Sequence, residues 1–351
     1  MSFNPVMVQA WRGPAVESEH RGALAVVDAD GALVLGLGDI ERAIFPRSAV
    51  KALQALPLVA SGAAERFALS DAELAQACAS HGGEPAHVAT TAGLLTKLGL
   101  EAEVLECGAH WPRGEAQIAA MGARGETPTA LHNNCSGKHA GFVCLGCVLA
   151  GEADRRQFLR GYVEPEHPVM REVTAALAAA TATDLSRAPV GIDGCSIPTY
   201  AIPLRQLALG FARLGTGQGL STDHAQAAQR LRRAVAAQPF HVAGTNRLDT
   251  VLMQALGERL FCKVGAEGVY CAALPERGWG LAIKMDDGNT ARAVEVVLAA
   301  VVQAALPLND ADQALLQRHS ELSLRNWNQR LVGRLAATPA LRQALGPLAR
   351  G

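Results

Sequence analysis

The sequence predicts an α+β protein: one antiparallel sheet flanked by helices, with a helical insertion between its early and late strands. Three observations lead there. Within residues 22–37, two apolar runs surround Asp28-Ala29-Asp30-Gly31 and read as a hairpin. Residues 65–257 are mainly helical in pattern and rich in Ala and Leu, broken by loops with Gly and Pro. The texture then changes to three short apolar runs, Arg259–Val264, Val269–Leu274 and Trp279–Lys284, which suggest a strand meander.

Taken in order, the sheet draws on about residues 15–40 and 258–288. Phe45-Pro46-Arg47 leads into the run Ser48–Ala60, whose alanines and leucines favour helix, with Pro46 and Gly62 as its limits. Ser48 then stands at or beside a helix N-terminus, where free N–H groups favour an anionic oxygen. Met170–Ala182 is a further helix, and residues 224–258 are helical again with Gly244-Thr245-Asn246 as a break. Asp286-Asp287-Gly288-Asn289 turns the chain into a helix over Ala291–Ala305, and about residues 307–351 read as a C-terminal helical extension. Residues 1–351 are read as a single domain.

At 351 residues and 49% hydrophobic, the chain can bury a large core. Its 32 basic and 33 acidic residues nearly cancel, which gives no reason to expect nucleic acid or an anionic membrane as partner. No apolar stretch is long enough for a transmembrane helix, and the first residues lack a basic segment followed by an apolar one, which points to the cytoplasm. Eight cysteines in a reducing compartment are not a disulfide framework. Cys78, Cys262 and Cys271 are read as core, and Cys144-Leu145-Gly146-Cys147 as a structural pair in an apolar run. Gly137-Lys138 is not a phosphate loop, because His132 and His139 stand where that motif needs Gly and Ser or Thr.

Chemistry concentrates elsewhere. Ser48 and Lys51 are three apart, so on a helix they share one face, and a desolvated lysine amine can accept a serine proton. Ser80, in Ala79-Ser80-His81-Gly82-Gly83-Glu84, and Lys263-Val264-Gly265 follow. The order Ser-x-x-Lys, Ser, Lys-x-Gly is that of the acyl-transfer machinery in penicillin-recognising enzymes. It predicts a serine-dependent amidohydrolase. Cys135 and Cys195 sit in polar, glycine-rich segments, which favours exposure in a cleft. Arg47 is placed to clamp a carboxylate, and Asp193 to hold an ammonium.

Three passages together resemble the rhizobial-type, class 3 L-asparaginases of the asparaginase II family: Arg47–Lys51, the ten-residue run His132–Gly141, and Gly191–Ser196. The segments Ala79–Pro85, Asp286–Gly288 and Glu17–Gly22 are similar as well. The resemblance implies hydrolysis of L-asparagine to L-aspartate and ammonia on a penicillin-binding-protein/serine β-lactamase-like fold, as a homodimer. It implies two serine–lysine tandems, which map onto Ser48 with Lys51 and Ser80 with Lys263. It also implies a metal site, usually zinc, at Cys135, Lys138 and Cys195, tuning substrate binding rather than supplying the nucleophile. His139 and Asn246 join Arg47 and Asp193 as candidate substrate-binding residues, Asn246 standing where the family pattern has glycine.

The rival readings are a hydrolase in which zinc at Cys135 and Cys195 activates water, a glutamine-directed amidohydrolase, a β-lactam-reactive relative and a non-enzymatic amino-acid binder. The first lacks His-Glu-x-x-His or any dense cluster of His and Asp.

Overall fold

The computed structural model describes residues 4–349. Strand β1 (Val6–Arg12) runs antiparallel to β2 (Ala15–Asp28), which pairs in turn with β3 (Leu33–Leu37). Asp28 closes the expected hairpin, its Oδ1 accepting from the backbone N–H of Asp30 at 3.0 Å and of Ala32 at 2.8 Å. The late meander follows as β4 (Phe261–Val264), β5 (Val269–Leu274) and β6 (Trp279–Met285). Strand β6 joins β2 antiparallel, from Trp279↔Asp28 to Met285↔Gly22, so early and late strands form one sheet as predicted.

Two further strands, β7 (Glu321–Arg325) and β8 (Leu331–Ala337), were not anticipated. They correct the reading of residues 307–351 as wholly helical. Helices Asp310–Ser320 and Pro339–Leu345 flank a hairpin whose β8 pairs with β1 at the opposite end of the chain. Among the described residues the sheet has eight strands in the order β7-β8-β1-β2-β6-β5-β4, with β3 also on β2.

The helices that matter for the site are α1 (Lys51–Gln54), α2 (Leu56–Ala60), α3 (Asp71–Ala77), α4 (Pro85–Lys97), α5 (Ser136–Leu149), α6 (Pro168–Thr181), α7 (Leu204–Thr216), α8 (Thr222–Ala237), α9 (Leu248–Leu256) and α10 (Ala293–Ala305). The run predicted as one helix over Ser48–Ala60 is broken into a 3-10 turn, Arg47–Val50, followed by α1 and α2. Pro57, lacking an N–H, cannot continue the ladder of α1 and instead sits in the first turn of α2.

Every position of β5 is buried, so both faces of the central sheet are covered. Helix α7 presents Leu207, Phe211 and Leu214, all fully buried and spaced along one helical face. Each contributes roughly 1.5–3 kcal/mol by leaving water. The contact with β6 is made at Gly280, where a Cβ would lie 2.0 Å from the carbonyl oxygen of Ala208 and 2.1 Å from the nitrogen of Ala212. Helix α10 packs against β1, β5, β6 and β8. At the far edge, β4 is buried at all its positions by α8, α9 and the Ser48 turn. That edge carries Lys263.

Candidate active site

The Ser48 turn is shaped by backbone constraint. Pro46 fixes its start, and Arg47 adopts a left-handed φ of 52°, a conformation that costs a non-glycine residue roughly 1–2 kcal/mol. Gly265, at the end of β4, lies against this turn: a Cβ there would stand 2.6 Å from the carbonyl oxygen of Pro46. The glycine of Lys-Val-Gly is therefore required by close approach of the two motif segments. Ser48 is half-buried within the 3-10 turn, one residue inside it rather than at the N-terminus of a long helix.

Ser80 follows α3 on an irregular segment. Its N–H donates to the carbonyl of Val242 at 2.9 Å, and the next loop is tied down by Glu84, which accepts from Thr245 N at 2.8 Å and Thr245 Oγ1 at 2.6 Å. Cys195 lies in the turn of a small hairpin formed by Val190–Ile192 and Pro198–Tyr200, with Ser196 at a left-handed φ of 76°. Cys135 and Lys138 sit at the start of α5. These segments converge on a cleft of about 360 Å³ whose wall includes Arg47, Ser48, Ser80, Cys135, Asp193 and Cys195.

Lys51, Lys138 and Lys263 stand behind that wall and are among the largest fully buried side chains of the protein, at 1%, 2% and 0% exposure. Lysine is almost never buried so deeply without a partner. Lys51 Nζ donates to the carbonyl of Ala79 at 2.5 Å, to Ser80 Oγ at 2.9 Å and to Cys135 Sγ at 3.0 Å. Burial pulls its pKa below the ordinary value, partly opposed by Cys135. Lys263 Nζ donates to the carbonyl of Val264 at 2.8 Å, and burial lowers its pKa to about 7 against the attraction of Asp249. Among the described residues, then, Ser80 is hydrogen-bonded to Lys51, and neither expected tandem is a direct hydrogen bond. The side chain of Lys51 points inward from α1 to the Ala79-Ser80 segment, not back to Ser48.

Lys138 Nζ donates to Cys195 Sγ at 2.9 Å. The neighbouring Cys195 thiol holds the Cys135 pKa well below its usual range, with Lys51 and Lys138 adding to the effect, while Cys135 and burial raise that of Cys195. Of the two thiols Cys135 is the more acidic. Burial opposes the charge on Lys138, but Cys195 and Cys135 outweigh it and raise the pKa. Both cysteines face the cleft yet are buried, at 4% and 3%, which corrects the expectation of exposed thiols. Among the described residues no group of three or more His, Cys, Asp or Glu side chains is arranged to hold a metal ion. Two cysteines with an amine are what this site offers.

Arg47 and Asp193 meet directly, Nε and Nη2 each lying 2.7 Å from Asp193 Oδ1. Burial disfavours charge on Asp193, but Lys138 and Arg47 more than compensate and hold its carboxyl below the usual range. His139 is not brought to the cleft wall: it is fully buried, with Nδ1 2.6 Å from the hydroxyl of Tyr162. Asn246 is exposed and also off the wall, but its φ of 58° explains why a glycine pattern is met there by asparagine, which tolerates that conformation. His81 is buried and neutral, its pKa lowered well below the usual value by burial, and it bonds Ser136 Oγ at 3.0 Å and Gly83 N at 3.1 Å. It positions the Ser80 loop. Sequence reasoning missed Arg113, Arg247 and His110, which also line the cleft. The only signal for Arg247 was its place after the turn-forming Asn246.

Comparison with protein families gives an extensive match. The L-asparaginase II family model covers residues 8–337. The chain belongs to that family. Asparaginase II membership makes it a hydrolase that acts on asparagine, and agrees with the motif residues gathered at the cleft. No curated protein matches the chain. Among the described residues of this asparaginase II member, no helix is long and apolar enough to cross a membrane.

Proposed function

We propose that the chain hydrolyses the side-chain carboxamide of L-asparagine through a serine acyl-enzyme, with Ser48 as nucleophile and Lys51 as base acting through Ser80. The observation that carries this reading is the buried Lys51 amine, 2.9 Å from Ser80 Oγ, at a cleft that also exposes Ser48. In its neutral form Lys51 takes the Ser80 proton, Ser80 takes the Ser48 proton, and Ser48 Oγ adds to the carboxamide carbon. Backbone N–H groups beside Ser48 receive the oxyanion. On collapse the proton passes back to the leaving nitrogen, the C–N bond breaks and ammonia departs. Water then adds to the ester and gives up a proton to Lys263; on collapse that proton returns to Ser48 Oγ, the bond between Ser48 Oγ and the acyl carbon breaks, and L-aspartate is released. The order of motifs on an antiparallel sheet supports a framework like that of penicillin-binding proteins and serine β-lactamases. Ser80 as nucleophile is the second reading, favoured by its direct bond to Lys51.

The donor chemistry at Cys135, Cys195 and Lys138 fits zinc: two sulfurs and an amine, with Lys138 Nζ 2.9 Å from Cys195 Sγ and the Cys135 thiol made more acidic than usual by its neighbours. These three residues would hold the ion, which when bound supplies a fixed positive charge next to Asp193 and tunes substrate binding. All eight cysteines are free and buried, which suits a reducing cytoplasm, and the resemblance to class 3 enzymes supports a homodimer. Ammonia release from L-asparagine and L-glutamine, measured side by side in wild type and Ser48→Ala, tests the reading. Release from asparagine that vanishes in the variant is expected. Release that survives it moves the nucleophile to Ser80 or to a metal-activated water.

A further inference from the structure

A free amino acid brings two fixed charges into a site, and each must meet an opposite partner or remain desolvated without one. Asp193 is an anion for the α-ammonium. Arg47 was expected to take the α-carboxylate, but its Nε and Nη2 are both committed to Asp193 Oδ1 at 2.7 Å.

Two other guanidiniums line the same cleft, Arg113 and Arg247. Among the described residues neither side chain donates a hydrogen bond or forms an ion pair. They also oppose each other: burial, and then the like charge of Arg247, pull the pKa of Arg113 below the ordinary arginine value. Two cations with no side-chain partner at one cleft, Arg113 exposed and Arg247 half-buried, offer a carboxylate bidentate contact.

Their placement is built. Arg113 N donates to the carbonyl of Gly82 at 2.9 Å, and Glu84 grips Thr245, two residues before Arg247. Both arginines are thus anchored to the loop that follows Ser80. Arg247 caps the start of α9 after Gly244 at φ 108° and Asn246 at φ 58°, a strained turn that delivers the arginine to the cleft.

We infer that Arg113 and Arg247 together bind the α-carboxylate of the substrate, and that Arg47 is a positioning residue that fixes Asp193 for the α-ammonium. This rests on the amino-acid amidohydrolase reading. It makes the site selective for the free amino acid: an asparagine inside a peptide has neither charge, and a C-terminal one lacks the ammonium.

The test compares Arg113→Gln, Arg247→Gln, the double variant and the Arg→Lys replacements, each first checked for an unchanged melting transition. The substrates are L-asparagine, succinamate (carboxylate without the amine) and 3-aminopropanamide (amine without the carboxylate). Loss of charged hydrogen bonds should raise KM for L-asparagine and succinamate about 10- to 100-fold, and selectivity for L-asparagine over 3-aminopropanamide should fall correspondingly. The lysine variants should recover part of the affinity. Asp193→Asn should show the reverse pattern, sparing succinamate. An equal loss on all three compounds, or an unchanged KM for succinamate, overturns the inference. Calorimetric titration with L-aspartate needs no turnover and separates this inference from the asparaginase reading. Binding by wild type that is lost in the glutamine variants upholds the carboxylate site even if L-asparagine is not hydrolysed. No binding by wild type, or equal binding by the variants, overturns it.

Discussion

Lys51 Nζ lies 2.9 Å from Ser80 Oγ and makes no hydrogen bond to Ser48, although Ser48 is only three residues away in the chain. The lysine of the Ser-x-x-Lys step therefore bonds across the fold rather than within its own turn. Its lysine serves the serine of the neighbouring loop, and its serine is presented to the cleft by the left-handed Arg47.

In the proposed mechanism this relationship makes Ser80 a proton carrier. Ser80→Ala should lower kcat for asparagine by about 10²- to 10⁴-fold, the range for losing an acid–base step, with KM changed far less. Steady-state kinetics check it. A variant with wild-type kcat would detach Ser80 from the reaction.

The acid limb of the rate profile should lie near pH 7. Burial brings Lys263 down to about 7, so its neutral amine, the form that accepts a proton, accumulates as pH rises through that value. Asp249, whose Oδ1 accepts from Val264 N at 2.9 Å, raises the lysine by its charge. Asp249→Asn should therefore shift the limb to lower pH. Glu295 is also raised to about 7, by burial and then by Asp249, so Glu295→Gln is the control and should leave the limb in place. The pH dependence of the deacylation rate, followed by decay of the acyl-enzyme in the three proteins, decides which group titrates.

Two glycine replacements should separate architecture from chemistry. Gly280→Ala drives a methyl to 2.0 Å from the Ala208 carbonyl oxygen and should cost stability, about 1–3 kcal/mol or more, as α7 shifts off the sheet. Gly265→Ala meets Pro46 O at 2.6 Å and Ala49 Cβ at 3.2 Å, displacing the Ser48 turn. It should lower kcat out of proportion to its effect on melting temperature. Equal ratios of lost activity to lost stability in the two variants would contradict this.

Much of this arrangement was legible because its signals are local. The Asp28–Gly31 turn, the proline ahead of Ser48 and the apolar runs of β4 to β6 each announce themselves within a dozen residues. Strands β7 and β8 do not. They alternate weakly, are half-exposed along much of their length, and join the sheet through the pairing of β8 with β1 from the other end of the chain. The exchange of lysine partners was equally out of reach, because it depends on where α1 points once packed. His139 was drawn into the site by belonging to a motif, and its position behind the cleft wall, bonded to Tyr162, depends on packing that the motif does not encode.

Metal removal distinguishes tuning from catalysis. With zinc held by Cys135, Cys195 and Lys138, chelation should raise KM for L-asparagine while kcat stays within a few-fold. Loss of kcat that returns with added zinc would support the metal-activated water instead.

The central claim is a covalent intermediate on Ser48. Acid-quenching wild type during turnover of L-asparagine, then mapping the modified peptide by mass spectrometry, tests it most directly. An aspartyl ester on Ser48, absent from Ser48→Ala, is the predicted result. An ester on Ser80, or turnover with no ester on either serine, would contradict it.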